Sequence, residues 1–292
     1  MSDFEILDRQ LLREFPLPAH PEDSDKGDRG QFLVVAGSRE VAGAALLAGI
    51  GGLRAGAGKL QIATAASVSV QLSIAVPEAM VVGFQETADG GFSPSAIAPL
   101  LVLARGAQAI TIGCGMQHGK ALEILLDALL ASDVGSPLVL DAAVLGSLAP
   151  RAKALAARRS GAILLPHSGE MARLLGCEPE EVEADPPAAA RRAAETFGAV
   201  SLIKGQCSFI VAPDGRAFRL TGGGVGLATS GSGDVLAGIV GGLVARGADP
   251  LTATLWGVHL HAEAGRALAR RIGRIGFLAR ELLDEVPGLM GA

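Results

Sequence analysis

Thr229, Ser230, Gly231, Ser232, Gly233 and Asp234 run directly into Val235, Leu236, Ala237, Gly238, Ile239 and Val240, so glycines precede an aspartate that opens an apolar helix. Glycines at such a place let the backbone turn its N–H groups toward a ligand, and a helix start adds positive potential for an anion. Gly231, Ser232 and Gly233 therefore read as an anion cradle. Asp234 is placed either to cap the helix or to take a proton from a hydroxyl attacking phosphorus. A lone Gly-Ser-Gly-Asp does not separate these roles. Gly222, Gly223, Gly224 and Gly226 just upstream tilt the balance, because helix entry alone does not need so many flexible residues. No glycine-lysine-serine or glycine-lysine-threonine ending is present, which excludes a P-loop.

Three further elements carry weaker signals. In Pro166-His167-Ser168-Gly169-Glu170, between a strand and a helix, His167 can orient a polar ligand group. Glu170 can cap its helix or act through a metal-bound water, and the alternative for His167 is a purely structural histidine. Lys204, Gly205 and Gln206 end a strand, where charge and backbone can approach a nucleotide phosphate; a solvated lysine is the alternative. Lys26-Gly27-Asp28-Arg29-Gly30, then Ala36-Gly37-Ser38 and Gly43-Ala44-Ala45, put small residues around a first strand, which suits either ligand approach or tight helix–sheet packing.

The elements that must hold these residues alternate along the chain. Residues 32–36, 60–63, 109–112, 138–141, 162–165 and 201–204 are short aliphatic runs, nearly continuous in hydrophobicity, as expected of parallel strands covered on both faces. Residues 42–53, 121–130, 170–175 and 188–197 have helical composition between them. The fold class is α/β, three layers with helices on both sides of a mostly parallel sheet. Residues 207–212 and 217–220 flank Pro213-Asp214-Gly215-Arg216 and predict an antiparallel hairpin. Two long helices follow, over 235–245 and 251–269. No linker or fixed-period repeat divides the chain, so residues 1–292 are expected to form one domain, with 1–25 as an N-terminal extension. In open α/β sheets ligands bind beyond the carboxyl ends of the strands, where all these motifs are expected to lie.

Composition removes other classes. The 292 residues are 49% hydrophobic and 19% charged, outside the disordered range. Arg54 and Lys59 interrupt the long alanine- and glycine-rich stretch, and no uncharged run reaches the roughly 18 residues of a spanning helix. Net charge is −5, and the only dense basic group is Arg270, Arg271 and Arg274, so nucleic acid is not an expected partner. Met1 to Glu5 show no basic stretch followed by an apolar run, which makes a secretory leader unexpected and a cytoplasmic location the default. Cys114, Cys177 and Cys207 are odd in number and far apart, and read as reduced structural thiols.

Taken in order, these elements resemble the nucleotide-dependent NAD(P)H-hydrate dehydratases of the ribokinase-like superfamily. The resemblance runs from about residue 26 to 287 and includes Gly113-Cys114-Gly115, Leu140-Asp141-Ala142, Pro166 to Glu170, Lys204-Gly205, Gly231 to Asp234 and His259-Leu260-His261. Gly-Xaa-Gly-Asp marks only the superfamily; Pro-His-Xaa-Gly-Glu beside it is more specific. The resemblance implies repair of NADH and NADPH that have taken up water, by phosphorylation of the hydrate hydroxyl and loss of phosphate. It implies ADP as co-substrate, or ATP as in animal members, with Mg2+ bridging the phosphates and no protein ligands assigned to it. Ala44, Gly115, His167 and Asp234 match hydrate-binding positions, with Asp234 the catalytic base. Lys204, Gly205, Gln206, Cys207, Ser208 and Gly233 match positions that hold the adenine nucleotide. A homotetramer is implied, acting beside a separate epimerase, since 292 residues leave no room for the fused epimerase domain of many members.

The sequence departs from the family pattern at Ser168 and Cys114, where proline is common, at Ser232, where threonine is frequent, and over residues 222–225. None removes a group the chemistry requires. Two other readings remain at this point. One is a ribokinase-like kinase for a vitamin precursor or sugar, which His167 with Glu170 argues against. The other is a non-catalytic nucleotide-binding protein, which the retention of Asp234 between its glycines and its helix argues against.

Overall fold

In the computed structural model residues 4–291 are described. Met1, Ser2, Asp3 and Ala292 lie outside the described residues, and with them much of the stretch on which the leader expectation rests. Ten strands are formed: β1 (Glu5–Ile6), β2 (Gln31–Val35), β3 (Lys59–Ala65), β4 (Ala79–Phe84), β5 (Ala109–Ile112), β6 (Leu138–Leu140), β7 (Ala162–Leu164), β8 (Val200–Ile203), β9 (Cys207–Val211) and β10 (Ala217–Thr221). They make one sheet in the order β1-β10-β9-β8-β7-β6-β5-β2-β3-β4. From β8 through β4 every neighbouring pair is parallel. β9–β10 is antiparallel, as the turn chemistry at Pro213-Asp214-Gly215 predicts, and β8–β9, joined through Lys204-Gly205-Gln206, is antiparallel as well.

Eleven helices follow in chain order: α1 (Ala42–Arg54), α2 (Ala66–Ala75), α3 (Ile97–Gly106), α4 (Lys120–Ala131), α5 (Ala152–Ala156), α6 (Ser168–Leu175), α7 (Pro179–Ala184), α8 (Pro186–Phe197), α9 (Ser232–Ala245), α10 (Pro250–Arg271) and α11 (Ala279–Met290). The buried side chains fall into two clusters, one on each face of the sheet. Phe32, Val34, Val139 and Ile163 pack with α1, α9, α10 and α11. Their neighbours Leu33, Val35, Leu138, Leu140 and Leu164 pack with α3, α4, α6 and α8. Successive strand residues point to opposite faces, and both faces are covered, so the central strands read as nearly unbroken apolar runs, interrupted by the buried Thr111 and Ser201.

The expected set lacks β1, β4, α2, α3, α5, α7 and α11. The α2 sequence Ala-Ser-Val-Ser-Val-Gln-Leu-Ser-Ile-Ala alternates polar and β-branched residues as a strand would. It buries only Leu72, and its first turn is tied down by Glu86, whose Oε1 accepts from Ser67 N–H at 2.7 Å.

Where the chain order reverses, β2 and β5 lie side by side, with β3 beyond one and β6 beyond the other. This switch point opens a crevice at the carboxyl ends of the strands. The Lys26–Gly30 loop is not part of it. Gly30 immediately precedes β2, at the opposite end of the sheet, where a Cβ would come within 1.9 Å of Ala245 O at the end of α9. Its glycine serves packing there, the second of the two readings that the sequence left open for this motif.

Candidate active site

The floor of the crevice is built by α9. Gly231 is its N-cap at φ +88°, a left-handed conformation suited to glycine, and no side chain caps the helix. Asp234 is therefore the third residue of the first turn and not the cap, which corrects the capping role open to it from sequence. Ser232 N–H is taken by Thr229 O at 3.2 Å. The next N–H groups, those of Gly233 and Asp234, have no partner within the helix, and they form the positive end of its dipole.

Asp234 is half-buried, and burial, followed by the charge of Asp141, raises its carboxyl from 3.8 to about 6. A hydrogen bond from the Cys114 thiol and the charge of Lys204 oppose the rise. Cys114 is fully buried at the end of β5, and Gly37 N–H holds its main-chain oxygen at 2.8 Å. Before it, Gly113 has φ +123° and lies so close to β6 that a Cβ would stand 1.8 Å from Asp141 O. After it, a Cβ on Gly115 would stand 2.6 Å from the Cβ of Ala44 on α1. Three positions assigned to the hydrate, Ala44, Gly115 and Asp234, thus converge around Cys114 at the switch point.

On the other side of Asp234 stands a charged network. Lys204, at the end of β8, donates to Asp141 Oδ1 at 2.8 Å and lies 3.9 Å from Glu170 Oε2. Burial works against its charge, but the carboxylates of Asp141 and Glu170 outweigh that and hold the ammonium above its ordinary range. Lys204 Nζ is 3.5 Å from where a Cβ on Gly233 would be, so it borders the cradle directly. His167 and Glu170 form a reciprocal cap on α6. His167 Nδ1 accepts from Gly169 N–H at 3.1 Å, and Glu170 Oε2 accepts from His167 N–H at 2.9 Å. Because Nδ1 accepts, a neutral ring carries its hydrogen on Nε2, which is 3.5 Å from Glu170 Oε1.

A cavity of about 920 Å³ opens from this network toward α10. His167, Lys204, Gly205, Gln206, Ser208 and Gly233 line it, together with apolar side chains of Leu227, Leu236 and Val258. It has the volume and the mixed lining expected of a nucleotide-sized pocket. Cys207 is not part of the lining; its Sγ lies 3.6 Å from Thr221 Oγ1. Asp234 does not line the cavity either, but its neighbours Ser232 and Gly233 do.

Three residues of the site had no role from sequence. Asp141 follows the aliphatic run Leu138–Leu140, and an acid at the end of such a run was its one visible signal. Cys114, read as structural, faces Asp234. His261 of α10, buried and held neutral by burial with its pKa lowered to about 4, contacts Ser232.

With this geometry in place, likeness to known proteins is informative. Residues 32–288 match the NAD(P)H-hydrate dehydratase family. An ADP-dependent (S)-NAD(P)H-hydrate dehydratase of Xanthomonas campestris pv. campestris is 47% identical over 279 residues, 96% of this chain and 93% of its own length. A bifunctional NAD(P)H-hydrate repair enzyme of Moorella thermoacetica is 37% identical over 93% of this chain, which spans about half (51%) of that longer protein. Among solved structures, an ADP/ATP-dependent NAD(P)H-hydrate dehydratase of Bacillus subtilis, co-crystallised with ATP and Mg2+, superposes with a TM-score of 0.83 at 29% identity, covering 100% of this chain and 99% of that one. The match extends from β2 through most of α11 and takes in every residue placed around the crevice, so the chain belongs to the NAD(P)H-hydrate dehydratase family, on the ribokinase-like fold.

Proposed function

We propose that this protein is an ADP-dependent dehydratase of the S form of NADH or NADPH hydrate. The observation that carries the reading is the position of Asp234. A half-buried carboxylate, raised to about 6, directly follows Ser232 and Gly233, which line a nucleotide-sized cavity, and lies against Cys114, next to the close contact of Gly115 with Ala44. At neutral pH it is mostly ionised and still basic enough to accept a proton.

The hydrate hydroxyl attacks the terminal phosphorus of ADP while Asp234 takes its proton. The bond from that phosphorus to the bridging oxygen breaks, and AMP leaves with the electron pair. The carbon–oxygen bond of the phosphorylated hydrate then breaks, phosphate leaves with its bonding pair, and loss of a proton from the neighbouring ring carbon restores the double bond. The N–H groups of the first turn of α9 and Lys204 face the charge that develops on the transferred group. Ala44 and Gly115 are assigned to the nicotinamide by resemblance, while His167 lines the cavity with its ring beside Glu170. Gly205, Gln206 and Ser208 line the nucleotide side, and Cys207 belongs to that segment by resemblance.

Three carboxylates, Asp141, Glu170 and Asp234, share the single ammonium of Lys204, and among the described residues no cluster of three or more ligating side chains forms a closed metal cage. This donor set fits Mg2+, which is commonly held by one or two carboxylates together with substrate phosphates and waters. Glu170, with Asp141 beside it, would hold it, and the ion would neutralise charge on the phosphates. The homotetramer, the separate epimerase partner and the cytoplasmic location are proposals carried by the resemblance. The single domain is supported by the continuous ten-stranded sheet. Among the described residues no helix is long and apolar enough to cross a membrane. The test is recovery of absorbance at the NADH band from S-hydrate, run side by side with ADP and ATP. ADP-dependent recovery is expected; a stable phosphorylated product without recovery would mark a kinase instead.

A further inference from the structure

The start of α9 is flanked by Gly231 and Gly233 and has no side-chain cap, so within the helix only main-chain bonds, such as Val235 N–H to Gly231 O at 3.1 Å, hold its first turn. A side-chain constraint comes from α10. His261 Nε2 lies 2.9 Å from Ser232 Oγ and 3.1 Å from Ser232 O. A carbonyl oxygen can only accept, and a bare nitrogen lone pair at that distance would repel it, so the ring hydrogen sits on Nε2. With that hydrogen directed at both oxygens, the hydroxyl oxygen is an acceptor toward His261, and the hydroxyl's own hydrogen points elsewhere. Ser232 and His261 are both buried, and both line the nucleotide cavity. Ser232 N–H is already bound to Thr229 O, which leaves the hydroxyl as the donor this residue can offer a ligand.

We propose that His261 is a positioning residue for the anion cradle, holding Ser232 so that its hydroxyl donates to the terminal phosphate of the nucleotide. This deepens the ADP-dependent reading above and rests on it. Hydrogen bonds to a charged acceptor are roughly twice as strong as neutral ones, so a side-chain donor strengthens a cradle otherwise made of main-chain N–H groups. The neutral ring performs this task without placing a second cation in the cavity.

The test is direct titration of ADP, without turnover, into wild type, His261→Leu, His261→Gln, Ser232→Ala, Ser232→Thr and the Ser232→Ala/His261→Leu pair. Leucine removes the donor at similar volume, whereas the glutamine amide replaces it. His261→Leu and Ser232→Ala are each expected to weaken ADP about tenfold, with the KM for hydrate unchanged. Glutamine and threonine should restore most of the affinity. The double variant should bind no more weakly than Ser232→Ala, because both changes remove one shared interaction. If His261→Leu does not fold, the imidazole Nε2–H signal in wild type, shifting on ADP addition and lost in His261→Gln, carries the same test. ADP affinity within twofold of wild type in His261→Leu, or losses that multiply in the double variant, would overturn the proposal. Wild type failing to bind ADP at all would overturn the nucleotide reading beneath it.

Discussion

Replacing Asp234 with asparagine should slow the enzyme and at the same time stabilise it. Asparagine removes the proton acceptor, and general-base assistance is typically worth 10²–10⁴-fold, so turnover should fall by about that factor. The stability change follows from the environment of the carboxyl. Its pKa rises from 3.8 to about 6, chiefly through burial and then through Asp141, so the folded state binds the proton more tightly than the unfolded chain does. The ionised group therefore destabilises the fold above about pH 6, and this penalty shrinks as pH falls and vanishes below 3.8. At 1.36 kcal/mol per pKa unit the difference of about 2.2 corresponds to at most about 3 kcal/mol. No cap is lost, since Gly231 occupies that position, and the loss of a negative charge from the first turn offsets about 0.3–1 kcal/mol. The assay is thermal melting of both proteins at pH 8 and pH 4, beside hydrate turnover with ADP. The variant should melt several degrees higher at pH 8 and together with wild type at pH 4. Near-normal turnover would remove Asp234 from the chemistry, and a lower melting temperature at pH 8 would refute the reasoning about its burial.

Because Asp234 must be ionised, kcat/KM for the hydrate should fall about tenfold per pH unit below about pH 6. Cys114→Ala, by deleting a hydrogen bond that holds the carboxyl down, should move that limb to higher pH, while Cys114→Ser should not; pH–rate profiles decide. Lys204→Met leaves the buried Asp141 unpaired and should destabilise by about 3 kcal/mol, the low end for a broken buried pair because Lys204 is partly exposed. Adding Asp141→Leu should recover stability but not ADP binding, as denaturant titration and calorimetry would show. Gly113→Ala forces a Cβ into Asp141 O at φ +123° and should destabilise by about 3 kcal/mol, measured by urea unfolding.

Much of the fold was legible because burial on both sheet faces writes itself into composition. Runs such as Phe32–Val35 and Ile110–Ile112 need no partner to be recognised as strands. The hairpin at Pro213–Arg216 was legible from its turn residues. β1 is too short to carry a pattern, and α2 carries the alternating pattern of a strand although it is a largely exposed helix with only Leu72 buried. At the site, the glycine-flanked Asp234, His167 with Glu170, and Lys204 were visible as types at strand ends. Which groups share charge was not visible. Asp141 and Lys204 are 63 residues apart, and Ser232 and His261 are 29 apart, so their pairing exists only once β6 lies between β5 and β7 and α10 crosses the start of α9. The role of Lys26–Gly30 stayed open for the same reason, since a glycine needed for packing and one needed for a ligand look alike until the end of the sheet is known.

The central claim is that the hydrate hydroxyl is phosphorylated before it leaves. Preparing S-hydrate with ¹⁸O in that hydroxyl and supplying ADP should place the label in the released inorganic phosphate, one atom per NADH or NADPH restored. Label appearing in water, with unlabelled phosphate, would show that the hydroxyl departs without passing through phosphorus and would contradict the account.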